Sequence, residues 1–422
     1  MKRLLLLLLL IMMVPGCSNV EAVEESEKYI SPVEKLDIID GVRVIGLGEA
    51  THGNVEFQQL KKDVENEDVH VFVLEGDFGA GQLINQFILS GEGAAKDVVS
   101  ALDYDIYKTE EMIEFVQWMH DYNMEVSEDE KIWFYGNDMQ RYDASKQKVL
   151  EFYHLVSEEK AALYREKLSL ISNQTMRDLT EEELRQVMET LEEISSDLIE
   201  NEQSYIERSP DEQYAFALQN TKVMKQRTEL FLTNNYSQLR DQYLAENLKW
   251  IVDYERSRGH EKVLVSGHNG HIEKTSANAA GYKSMGNYLD ELYGSEYFAI
   301  GTDFLESEFQ AKNGNTGKRE VYKVENNNEL VTAFQQVENN NELVTAFQQV
   351  EDNVFYVDFS QASKSEELLN IISSRQKMGN IGDEFHSWYK LMKRFYTIEM
   401  IPDEAYDGVI IVKKATPTKI ME

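Results

Sequence analysis

Val42-Arg43-Val44-Ile45-Gly46-Leu47-Gly48 is a short apolar, β-branched run, and Glu49-Ala50-Thr51-His52-Gly53 follows it at once. The run is too short for a helix and is closed by glycine, so it reads as a buried strand. Its sequel is polar and carries two groups able to hold or move a proton. The same pattern recurs at Val69–Glu75 (VHVFVLE), Lys131–Gly136 (KIWFYG) and Lys262–Gly267 (KVLVSG). Later runs are Tyr297–Phe304, Lys318–Val324, Val354–Phe359 and Gly408–Lys413. Between the early runs lie stretches of helical spacing, such as Thr109–Tyr122. Alternating strand and helix signals, with strands apolar on both faces, predict an α/β fold with a largely parallel central sheet flanked by helices.

One stretch departs from that alternation. From Asn137 to Arg258 there is no glycine and one proline, Pro210, and apolar residues recur at three- and four-residue spacing. This predicts a long all-helical insertion lobe over about 140–257, set between two strands. Thr180-Glu181-Glu182-Glu183 has the form of a capping box, and Ser209-Pro210-Asp211-Glu212 reads as another helix start. A perfect tandem copy of 13 residues, VENNNELVTAFQQ, occupies Val324–Gln336 and Val337–Gln349. It is too short for a solenoid unit and reads as a duplicated helix before the Val354 strand.

The chain has 422 residues, 42 Lys+Arg against 76 Asp+Glu, and one cysteine. A formal charge of −34 repels nucleic acid. One cysteine leaves no intramolecular disulfide and no cysteine-rich metal site. That residue, Cys17, follows Lys2, Arg3 and the apolar run Leu4–Val14, which is too short to span a bilayer. Residues 1–17 therefore read as a bacterial lipoprotein signal peptide ending in a lipidated Cys17. Residues 18–30 read as a polar tether and 31–422 as the α/β domain. The expected location is extracytoplasmic, with the membrane touched only through the N-terminal lipid.

In α/β sheets, ligands gather beyond the carboxyl ends of the strands. There the sequence offers Glu49 and His52, then Glu75, Asp138, and His268-Asn269-Gly270-His271. Three of the eight histidines fall on this one edge. Each group also has a plainer reading, Asp138 as a helix N-cap and the paired histidines as turn residues. His70 and His120 read as structural or exposed, and His154, His260 and His386 sit in no motif. Without a G-x-S-x-G elbow, and with Cys17 in the anchor, two chemistries remain. In one, His52, held by a carboxylate, takes a proton from water that attacks an ester carbonyl. In the other, a non-catalytic surface lipoprotein binds a metal ion or small ligand through His52, His268, His271, Glu49 and Glu75. No H-E-x-x-H occurs, and Asn269-Gly270 favours a turn over a helix that would align the two histidines.

Gly48-Glu49-Ala50-Thr51-His52-Gly53 with Glu56-Phe57 resembles the signature of the erythromycin esterase family. Further matches follow in order: Val73-Leu74-Glu75, Thr109-x-Glu111 leading to Trp118-Met119, Phe134-Tyr135-Gly136-x-Asp138, Arg240-Asp241 with Glu246-Asn247, His268-Asn269-Gly270-His271, and Met285-Gly286-x-x-Leu289. The resemblance implies an α/β core with a helical lobe and a deep cleft. It also implies hydrolysis of a small-molecule ester or lactone without a required metal or other cofactor. Some relatives are labelled succinoglycan biosynthesis proteins. Carried over, His52 is the general base, Glu49 and Glu75 orient it, and His268 and His271 contact the carbonyl or developing oxyanion. Asp138, Asn269 and Arg240 are expected to face the substrate.

Overall fold

The computed structural model describes residues 30–421 except 34–35, 37, 39, 64–68, 279–280, 327–329, 333 and 335–352. Its strands are β1 (Ile30–Ser31), β2 (Val44–Glu49), β3 (Val71–Asp77), β4 (Trp133–Asp138), β5 (Val263–His268), β6 (Tyr297–Asn313), β7 (Arg319–Glu325), β8 (Val354–Asp358), β9 (Gln376–Gly379), β10 (Glu384–Phe385), β11 (Thr397–Met400) and β12 (Gly408–Ala415). The central order β12-β6-β2-β5-β3-β4 is parallel throughout. Antiparallel β8 extends it beside β12, and β7 pairs with the outer half of β6.

Successive side chains of these strands point to opposite faces, and both faces are covered. Ile45, Leu47, Phe72, Leu74 and Leu264 enter one core, while Val44, Val71, Val73, Val263 and Val265 enter the other. That is the physical reason the runs show no polar alternation. β6 is longer than the sequence indicates. Beyond Phe304 one face leaves the core, so buried and half-buried residues alternate and the apolar run is lost.

The helices between the early strands are α1 (Val55–Asp63), α2 (Phe78–Ser90), α3 (Ala95–Ala101) and α4 (Glu110–Glu125). Between β4 and β5 come α5 (Asp143–Val156), α6 (Glu158–Lys167), α7 (Glu181–Glu200), α8 (Glu202–Ile206), α9 (Asp211–Leu232) and α10 (Tyr236–Ser257). After β5 follow α11 (Asn269–Ile272) and α12 (Met285–Tyr293). The Thr180–Glu183 capping box is formed at the start of α7. At α9 the N-cap position is Pro210 itself, without a side-chain cap.

The helical stretch is continuous in sequence but packs as two parts. Val149, Phe152, Leu191, Ile194, Leu198 and Met224 build a core of their own, which is the lobe. In contrast, α10 lays Leu244, Leu248, Ile251 and Val252 on the β3–β5 face of the sheet. The insertion expected to run to 257 therefore gives up its last helix to the sheet. Two apolar faces of equal spacing look alike in sequence, and only their partners differ.

Residues 1–29, with the expected signal peptide, lipidated Cys17 and most of the tether, lie outside the described residues, while Ile30 already pairs with Val357 in β8. The second copy of the 13-residue repeat also lies outside them; of the first copy, Leu330, Val331 and Phe334 are buried. Among the described residues no helix is long and apolar enough to cross a membrane.

Candidate active site

Register brings the site together. Pairing of β2 with β5 sets Glu49 opposite His268, and pairing of β3 with β5 sets Leu74 opposite Ser266. Between Leu74 and Asp77 the β3–β4 register shifts, a bulge at the strand end beside Glu75. Three glycines let backbone and side chains approach closely at this edge. A Cβ on Gly48 would lie 2.2 Å from Asn269 Oδ1, one on Gly267 3.0 Å from Glu75 Oε2, and one on Gly53 2.0 Å from the Gln310 carbonyl oxygen.

Glu49 accepts from His52 Nδ1 at 3.0 Å. Its other oxygen lies 2.9 Å from Lys61 Nζ and accepts from Ser266 Oγ at 2.9 Å. Burial opposes ionisation of Glu49 most strongly, but the Lys61 ammonium and His52 prevail and hold its carboxyl at about 2. A carboxylate at Nδ1 fixes the imidazole with its proton on that nitrogen, leaving the Nε2 lone pair available. Among the described residues Nε2 has no partner.

A second polar group faces this one. Arg240 reaches Asp138 Oδ2 through Nε (3.2 Å) and Nη2 (2.6 Å), Glu75 Oε1 through Nη2 (2.7 Å) and His271 Nε2 through Nη1 (3.0 Å). Glu75 also accepts from the His268 backbone N–H at 2.8 Å. Burial resists its charge, yet His271 and Arg240 hold its carboxyl well below the usual range. His271 Nδ1 meets Asp241 Oδ1 at 2.6 Å. The Nε2 of His271 has two incompatible partners: Arg240 can only donate to it, whereas the 3.4 Å approach to Glu75 needs a proton there. Burial works against the imidazolium, but Asp241 and Glu75 outweigh it together with the Arg240 charge and push His271 up to about 9. The protonated state therefore prevails at neutral pH, with its Nε2 proton turned to Glu75.

His268 behaves oppositely. Burial first, then His52 and His271, push it down to about 3, so it is neutral. Its Nε2 lies 3.1 Å from the Ile381 carbonyl, which accepts only, so the single proton sits there and Nδ1 is an acceptor. That corrects the expectation of an oxyanion contact through His268, because its one donor is committed.

Two further expectations change. Asn269 is fully buried, donating to the Thr302 and Gly379 carbonyls at 2.8 and 3.1 Å and accepting from the Thr302 N–H at 3.1 Å. It ties α11 to the sheet and does not face a substrate. Asp138 is likewise buried beneath Arg240, and α5 starts five residues later without it, so it is neither substrate contact nor N-cap but an anchor for Arg240. Asn269-Gly270 opens a one-turn helix, Asn269–Ile272, where a plain turn was expected. Among the described residues no three His, Cys, Asp or Glu side chains are placed to hold a metal ion. Four of the six ring nitrogens of His52, His268 and His271 are engaged by Glu49, Ile381, Asp241 and Arg240, which leaves His52 Nε2 and His268 Nδ1 open among the described residues.

His52, Glu75, Arg240, His268 and His271 line one cleft of about 370 Å³, and Tyr104 and the lobe residue Arg227 belong to the same lining. Sequence reasoning missed Lys61, Ser266 and Asp241. Lys61 did leave a signal, since it shares the buried face of α1 with Phe57 and Leu60, where a lysine needs a carboxylate. Tyr107, edge-on to His52 at 5.7 Å between ring centroids, left none.

Residues 64–415 match the erythromycin esterase family. The chain is 27% identical over 296 residues to an erythromycin esterase type II of Escherichia coli, covering 63% of this chain and 69% of that protein. A crystal structure of a Bacillus cereus protein superposes with a TM-score of 0.76 at 22% identity, over 95% of this chain and 99% of the other. A protein described as a succinoglycan biosynthesis protein gives 0.72 at 22% identity, over 95% and 98%. An erythromycin esterase variant, EreC, in its open conformation gives 0.63 at 14% identity, over 91% and 93%. These likenesses to solved structures establish the shared α/β fold, and the match over most of the chain establishes descent: the protein belongs to the erythromycin esterase family.

Proposed function

We propose that the protein hydrolyses a carboxylic ester or lactone by direct attack of water activated by His52. One observation carries the reading. His52 is held at Nδ1 by the ionised, buried Glu49 and lines one cleft with Arg240 and the protonated His271. Family membership supports an ester hydrolase of this type.

The chemistry rests on the two opposed environments. His52 Nε2 takes a proton as the water oxygen bonds to the carbonyl carbon, and the carbonyl pair moves onto oxygen. Arg240, fixed by Glu75 and Asp138 through Nε and Nη2, turns Nη1 to that oxyanion, and the protonated His271 beside it adds positive charge. When the C=O re-forms, the alkoxide leaves with the proton that His52 Nε2 took from water. The products are an acid and an alcohol. Glu49 neutralises the imidazolium on His52, and Lys61 keeps Glu49 ionised out of water.

A panel of aryl esters and lactones, assayed with the wild type and His52→Ala, tests this. Loss of the base lowers kcat/KM about 10²–10⁴-fold with the circular dichroism spectrum unchanged. A variant that keeps wild-type turnover refutes the role of His52. The leader segment supports export and lipidation at Cys17, and failure of Cys17→Ser to abolish fatty-acid labelling in cells sinks that part.

A further inference from the structure

Charge in the cleft is paired unevenly. Its carboxylates all have cations: Glu75 has Arg240, Asp103 has Arg141 and Lys108, Asp105 has Lys108, and Asp383 has Arg319. Arg177, Arg227 and Lys312 line the same cleft, and among the described residues none has a carboxylate within ion-pair distance. A chain of net charge −34 thus keeps three uncompensated cations at one place.

Arg227 is the decisive one. It is only 2% exposed, yet its Nη1 has no hydrogen-bond partner. The Nε donates to the Gln140 carbonyl at 3.0 Å, and the guanidinium lies 3.6 Å over the Phe231 ring. Those contacts orient the group without neutralising it, and burying an uncompensated guanidinium is costly. A second orphan donor lines the same cleft: the Tyr104 hydroxyl is buried and unpartnered, while the Arg141 guanidinium lies 4.4 Å over the centre of the Tyr104 ring.

We infer that this wall is an anion subsite and that the natural substrate is an ester carrying a carboxylate, seated on Arg227 with Arg177 and Lys312 at the rim. A planar carboxylate suits a guanidinium held edge-on by its Nε. A monoanion fits better than a phosphate dianion, because Glu75, Asp103, Asp105 and Asp383 share the cleft. The inference deepens the hydrolase reading and rests on it for the word ester.

The test compares two esters with the same scissile bond, mono-4-nitrophenyl glutarate and 4-nitrophenyl valerate, on the full chain. The expected result is a preference in kcat/KM for the charged ester of about 10-fold or more, reduced by Arg227→Gln and by Arg177→Gln and eroded by salt. Arg177 is exposed, so its variant folds even where Arg227→Gln does not. Equal kcat/KM for the two esters, or a preference that both variants leave intact, overturns the subsite. Should neither ester turn over, calorimetry with the N-butyl monoamide of glutaric acid separates the two claims. Binding to wild type and His52→Ala that weakens 10-fold in Arg177→Gln upholds the subsite while the hydrolase reading falls. No binding, or binding the variant does not change, overturns the subsite as well.

Discussion

Replacing Lys61 by methionine removes the one ammonium that compensates Glu49, while nearly keeping the side-chain volume. Lys61 is fully buried, with Nζ 2.9 Å from Glu49 Oε1 and a second bond donated to Gln58 Oε1. In the native protein Glu49 sits at about 2 against an ordinary 4.5, a gap of about 2.5 units. At about 1.4 kcal/mol per unit this is about 3 kcal/mol of stability. The folded-state value is the depressed one, so the contribution is complete above pH 4.5 and disappears as pH falls through 2. In Lys61→Met, burial acts on Glu49 with only His52 to oppose it, and the carboxyl rises. The variant is then about 3 kcal/mol less stable than wild type at pH 7, at the lower end of the about 3–5 kcal/mol for breaking a buried pair. By pH 3 the gap narrows to less than half, because the wild type is itself losing the term. Urea unfolding followed by tryptophan fluorescence at the two pH values measures it. Equal midpoints at pH 7, or a gap that does not change between pH 7 and 3, refutes the reasoning. Activity provides a second readout. A protonated Glu49 no longer accepts from His52 Nδ1, so kcat should fall with KM little changed.

Three more expectations rest on the same geometry. Asp241 is a principal group holding His271 at about 9, so kcat/KM should decline above that pH, and Asp241→Asn should move the declining limb down by about one unit or more; an unmoved limb assigns it to another group. Gly53→Ala places a Cβ 2.0 Å from the Gln310 carbonyl and disturbs the bonds that the Gly53 carbonyl accepts from Gln310 and Thr418. Thermal melting should show a loss of about 1–3 kcal/mol, and an unchanged Tm argues against that close approach. Arg227→Met replaces a buried, uncompensated cation, so the fold should be as stable as wild type or more so while discrimination between charged and neutral esters is lost. A marked drop in Tm instead marks Arg227 as a structural residue.

Much of this molecule is legible from its residues in order. Strands buried on both faces must be apolar throughout, which is why VRVIGLG, VHVFVLE and KVLVSG announce a parallel sheet. Parallel strands place their carboxyl ends together, which brings Glu49, His52, Glu75, His268 and His271 to one edge. Sequence also separates the helical insertion from the sheet, but not α10 from the lobe, since an apolar face does not name what covers it. Roles within the edge are a different matter. His268 and His271 lie three residues apart with similar surroundings in sequence. One is neutral because burial and two neighbouring imidazoles disfavour its charge, and the other is cationic because Asp241 and Glu75 outweigh burial. Asp138, Asn269 and Arg240 looked equivalent, yet only Arg240 reaches the cleft. The sequence by itself determines the fold class and the reactive edge, because both derive from local pattern and strand direction. Tertiary structure alone decides which histidine holds a proton and which cations stay unpaired, because charge state depends on partners and burial supplied by distant segments.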